Sequence, residues 1–137
     1  MASIGVRSYD GFYSAPWANA TRGVPGTGVK LTADESVDIA GAITVGCLGV
    51  LMNDPAQYEM ATVKLIETGA IVRAVAGAAL TLGDECTVDS AGRFIHYHRH
   101  ATQTNAVNYG WGTVVKAASH ANDLFELQMN KDICRHA

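Results

Sequence analysis

The chain has 137 residues, 48% hydrophobic and 17% charged, with 14 glycines, three prolines and a formal net charge of −3. That is one domain's worth of sequence, too apolar for disorder and long enough to bury about two-thirds of its unfolded surface without metal or disulfide staples. With no run of Lys or Arg it has no basic footprint for nucleic acid, and its longest uncharged apolar run, 39–52, is too short and too glycine-rich for a membrane span.

The first nine residues lack an apolar h-region, so no signal peptide is expected and the chain is read as made in a reducing cytoplasm. Tyr9, Phe12, Tyr13 and Trp17 then fall among Gly, Ser, Asn and Pro, ahead of the turn-rich stretch Gly23-Val24-Pro25-Gly26-Thr27-Gly28. We read neither the strand period nor the helix period in them. Residues 1–35 are therefore expected to form an extended N-terminal arm, with these four aromatics as anchors on a partner, and residues 36–137 a β-rich domain.

From residue 31 the texture changes. Strands are predicted over 35–39 and 45–52, the second closed by Asn53-Asp54-Pro55. Residues 60–66 alternate, with Ala61, Val63 and Leu65 on one face and Thr62 and Lys64 on the other. Gly69 breaks that run before a strand over 70–75. Strands over 86–88 and 93–97 flank Asp89-Ser90-Ala91-Gly92, which reads as a hairpin loop. Two more, over 107–115 and 124–129, complete the set, the last with Phe125, Leu127 and Met129 inward. The alanine-rich pieces 74–82 and 116–121 are the only candidates for short helical turns, and both are too short to be helical without tertiary support. The expected class is all-β, a small barrel or sandwich with one or two short helical turns.

One local device recurs. Gly41-Ala42-Ile43-Thr44-Val45-Gly46, Ala78-Ala79-Leu80-Thr81-Leu82-Gly83-Asp84 and Ala117-Ala118-Ser119-His120-Ala121-Asn122-Asp123 each lead from small residues to a turn residue. Gly and Asn tolerate left-handed backbone, and an Asp beside them can accept from a nearby backbone N–H.

The residues that carry chemistry do not converge. His96, His98 and His100 share one face of an extended strand, a conceivable zinc or nickel site. Successive imidazoles stand about 6.5–7 Å apart, and no nearby carboxylate or thiol completes the set, so no bound metal is expected. Cys47, Cys86 and Cys134 are far apart and odd in number, as incidental thiols are. The adjacent pairs Asp34-Glu35 and Asp84-Glu85 read as turn caps and solvated charge, because neighbours on a strand face opposite ways. No nucleophile, base and oxyanion donor assemble. The expectation is a non-enzyme without cofactor; the alternative that these residues keep open is a small cupin-like metal enzyme using the His96/His98/His100 face.

Several motifs follow one another in a familiar order: Val45-Gly46-Cys47-Leu48-Gly49-Val50, the strand from Ala61 to Glu67 with Gly69-Ala70-Ile71-Val72, Ala76-Gly77-Ala78-Ala79-Leu80-Thr81-Leu82-Gly83-Asp84 running into Asp89-Ser90-Ala91-Gly92, and Gly110-Trp111-Gly112 with Ala117-Ala118-Ser119. Over about residues 40–130 this order resembles the small capsid decoration, or cement, proteins of tailed bacteriophages. Where that pattern carries a Gly, near 56–58, this chain has Ala56-Gln57-Tyr58. The resemblance implies a β-tulip-like fold and a structural virion protein that clamps neighbouring major capsid protein subunits on the outer capsid surface. It further implies a homo-oligomer, often a trimer, with no catalysis, and it leaves another β-rich phage structural protein, of the tail or adaptor, as the second alternative.

Overall fold

The computed structural model describes residues 6–7, 11–41, 48–96 and 110–130. Eleven strands are found there: β1 (Val6–Arg7), β2 (Phe12–Pro16), β3 (Gly28–Leu31), β4 (Val37–Ile39), β5 (Gly49–Leu51), β6 (Met60–Leu65), β7 (Ile71–Val75), β8 (Glu85–Val88), β9 (Phe94–His96), β10 (Gly112–Lys116) and β11 (Leu124–Met129). They form a six-stranded sheet in the order β1-β2-β6-β5-β3-β4 and a five-stranded sheet in the order β7-β11-β10-β8-β9. Every ladder is antiparallel. The all-β expectation holds, in the form of a two-sheet sandwich.

Strand alternation explains which residues go inside. In β6 Ala61 and Val63 are buried while Met60 is exposed; in β11 Phe125, Leu127 and Met129 are buried while Leu124 and Gln128 are exposed. Period-2 side-chain placement puts each set on one face. Two cores result. Between the sheets lie Val50, Val72, Val88, Phe94, Trp111, Phe125 and Leu127, with the Phe94 ring edge-on to Trp111 at 5.5 Å and to Phe125 at 5.9 Å. Within the six-stranded sheet lie Ala15, Trp17, Val29, Val37, Leu51, Ala61 and Val63. Val50 and Leu51, adjacent in β5, therefore point into different cores. Each fully buried side chain of this size contributes roughly 1.5–3 kcal/mol.

The second core exists because the six-stranded sheet curls. A single parallel bridge, Trp17 to Val37, joins the end of β2 to edge strand β4, with Ala18 N–H donating to Val37 O at 2.8 Å. One bridge is not a ladder, so the sheet remains open and no barrel closes.

The sheets meet at a glycine seam. Gly28 N–H donates to Gly92 O at 2.8 Å, and Val75 N–H donates to Gly26 O at 3.0 Å. A Cβ on Gly28 would lie 2.6 Å from Val88 Cγ1 and 3.3 Å from both the Phe94 and Trp111 rings. Only glycine permits that approach.

Two of the three recurring turns are built alike. Gly83 and Asn122 both have positive φ, 88° and 70°. Thr81 N–H donates to Asp84 Oδ2 at 2.9 Å, and His120 N–H donates to Asp123 Oδ2 at 3.0 Å. Leu80 and Ala118 bridge to each other between them. The third, from 41 to 46, lies outside the described residues beyond Gly41. The helical turns expected over 74–82 and 116–121 do not form. Their backbone bonds run across the fold instead: Ala76 N–H donates to Asp123 O, Gly77 N–H to Phe94 O and Leu80 N–H to Ala118 O. Partners from distant segments of the same chain win where an isolated helical turn is marginal.

The arm expected over 1–35 is also corrected over its described part, since β1, β2 and β3 are strands of the six-stranded sheet. β2 pairs along its whole length with β6, from Phe12 opposite Lys64 to Pro16 opposite Met60. A strand period is present after all, with Tyr13, Ala15 and Trp17 on one face and Phe12, Ser14 and Pro16 on the other. Ser14, Ala15 and Pro16 obscure it, because small and kinked residues carry little hydrophobic contrast.

Candidate functional site

The four aromatics singled out from the sequence do not share a surface. Trp17 is fully buried, and its indole Nε1 donates to Thr21 O at 2.8 Å. Tyr13 stands opposite Val63 and packs half-buried on the inner core. Burial raises its phenol pKa above the ordinary value, with the Glu35 charge adding to the effect. Phe12 faces the other way, with Lys64 Nζ 5.2 Å above its ring and Glu67 holding that ammonium at 3.3 Å. Tyr9 lies outside the described residues. Trp17 is thus a core residue and is not available as a surface anchor.

Of the histidine face only His96 is described; its Nε2 is 3.9 Å from Asp84 Oδ1, and His98 and His100 lie outside the described residues. Among the described residues no three His, Cys, Asp or Glu side chains gather as a metal site. Cys86 is buried, and burial, helped by the Asp84 charge, pushes its thiol up to about 12. Such a thiol is protonated at neutral pH and a poor nucleophile. The Asp34 carboxylate accepts from the Thr32 and Ser36 hydroxyls, and the two bonds, Thr32 first, hold it below the usual range. It caps its own turn.

Two surface features of another kind stand out. The first is Tyr58, 78% exposed on left-handed backbone with φ 70°. Its loop is tied down on both sides. Tyr58 N–H donates to Trp17 O at 2.8 Å and Glu59 N–H to Ala56 O at 3.0 Å. Ala56 N–H donates to Glu59 Oε1 at 2.6 Å, and Gln57 Nε2 donates to Ala18 O at 3.2 Å. Met52 and Met60, before and after it in the chain, are both more than 40% exposed.

The second feature is a cleft of about 290 Å3 over the glycine seam, with Val24, Ile39, Val75 and Ala91 as apolar walls and Arg22 and Arg93 beside them. Arg93 is fixed by Asp89, at 3.1 Å from both Nε and the second guanidinium nitrogen, and by Asn122 Oδ1 at 3.1 Å. The loop of the first feature touches the rim of the second, since Gly23 N–H donates to Pro55 O at 2.9 Å. Neither feature was legible beforehand. Tyr58 lies in a polar connection without periodicity, and the cleft is assembled from segments far apart in the chain.

The fold is similar to that of the head fiber gp8.5 N base of bacteriophage phi29, with a TM-score of 0.63 over 87% of this chain and 94% of that one, at 16% sequence identity. No protein-family model and no curated protein sequence matches the chain. The likeness is therefore one of fold, extending over nearly the whole of both chains.

Proposed function

We propose that this protein is a structural component of a tailed-bacteriophage head, seated on the outer capsid surface and bracing neighbouring major capsid protein subunits. The observation that carries the reading is the near end-to-end fold likeness to a phage head fiber base, 87% of one chain against 94% of the other. The order of motifs over about residues 40–130 supports the same class independently. In this reading the protein is made in the host cytoplasm, acts as a homo-oligomer, most simply a trimer, and carries out no catalysis. An oligomer gripping several seams at once gains avidity without new contacts. Tyr9 and the outward-facing Phe12 serve as shell contacts, while Tyr13 and Trp17 belong to the protein's own core.

The test is location. Antibody labelling of intact purified virions should decorate heads, and the protein should bind heads that lack it and raise the temperature at which they release DNA. Absence from particles, or labelling confined to tails, would overturn the proposal.

A further inference from the structure

We propose that Tyr58 of one copy inserts into the seam cleft of a second copy, so that this knob and cleft form the self-association contact. The inference deepens the oligomer half of the reading above and rests on it.

Among the described residues no contact is made by the Tyr58 ring that would explain its place. A bulky residue at positive φ costs of order 1–3 kcal/mol and persists only where its surroundings over-determine it. Here four hydrogen bonds fix the loop, yet the ring they hold up is 78% exposed. A rigid, solvent-facing tyrosine is the cheapest interface anchor, because it buries much area and freezes few torsions.

The cleft fits that occupant in size and charge. At about 290 Å3 it has room for a tyrosine side chain. Its walls are apolar, and its charged lining consists of Arg22 and Arg93 with no carboxylate. Arg93 is held in place by Asp89 and Asn122, as a guanidinium that stacks on an aromatic ring must be. Arg22 has only a loose partner, Asp54 at 3.6 Å with both side chains more than 60% exposed, and such pairs are weak enough to exchange. Glu59 follows Tyr58 directly; one of its oxygens accepts from Ala56 N–H, and the other can meet that arginine.

Knob and cleft are different surfaces lying side by side across the Gly23–Pro55 contact. Two copies can exchange knobs reciprocally, and three can pass them round a ring. Val24 on the cleft wall is itself 56% exposed, which leaves that wall apolar and open to an incoming ring.

Sedimentation equilibrium of the full chain without shells, up to millimolar concentration, tests the contact. Wild type should self-associate. Tyr58→Gly should weaken association at least tenfold, as loss of an interface anchor does, while its melting temperature stays level or rises because glycine accepts the left-handed backbone. Ala91→Trp, which fills the cleft, should weaken association equally. An equimolar mixture of the two variants should associate more tightly than either alone, because the intact Tyr58 of one meets the open cleft of the other. A wild type that stays monomeric, a Tyr58→Gly variant that associates normally, or a mixture no tighter than its components would overturn the proposal. No shell enters this measurement, so its failure leaves the capsid placement standing, and failure to bind heads leaves the contact standing.

Discussion

Replacing Trp17 with Ala tests whether the N-terminal segment is an appendage or part of the core. The indole is fully buried, packed with Val29, Val37, Leu51, Ala61 and Val63. It sits where β2 is pinned to edge strand β4 by the bridge that curls the sheet. Removing a buried Trp costs about 3–5 kcal/mol in lost burial and cavity. The lost bond to Thr21 O adds little, since that carbonyl lies in an exposed loop and can turn to water. The cost is a large share of the roughly 5–15 kcal/mol that holds a domain together. At this chain length it corresponds to a fall of roughly 10–20 °C in Tm. Urea unfolding followed by circular dichroism measures the free-energy change, and Trp17→Phe, which keeps most of the volume, should lose less than half as much. A loss below about 1 kcal/mol for Trp17→Ala would mean that β2 is peripheral, and the curled-sheet core would have to be abandoned.

Gly28→Ala should destabilise by about 1–3 kcal/mol, because overpacking a filled interior forces side chains off their rotamers and the added Cβ meets Val88 Cγ1 at 2.6 Å. Gly41→Ala, whose nearest neighbour among the described residues would be 3.7 Å away, is the matched control and should be close to neutral in the same urea titration. Burial of Cys86 favours its neutral form, raising the thiol from 9.0 to about 12. The unfolded thiol ionises first as pH rises, so this contribution is complete below about pH 9 and is lost between about pH 9 and 12, at up to about 1.4 kcal/mol per pH unit. With Cys47 and Cys134 replaced by Ser in both proteins, the stability difference between the chain and its Cys86→Ala variant should shrink from about pH 8 to about pH 10. An unchanged difference would show that the thiol is not held neutral by its surroundings.

The sequence alone determined the β elements whose side chains contrast strongly over enough residues. The runs predicted over 60–66, 70–75 and 124–129 became β6, β7 and β11, the first two ending one residue sooner or starting one later and the last matching throughout. Local turn chemistry was equally readable, because Gly83, Asn122 and the Asp that follows each act within four residues of chain. What only the tertiary structure decided depends on partners distant in the chain. β2 carries a weak alternation, and it became an inner strand because β6 supplies a matching buried face. The alanine-rich pieces had a latent helical choice, which the bridge between Leu80 and Ala118 removed. Val50 and Leu51 are equivalent as letters, yet the curl of one sheet sends them into separate cores. The exposed Tyr58 and the seam cleft belong to the same category. Each is defined by backbone held in place from elsewhere in the fold, and a periodicity read along the chain carries no record of such contacts.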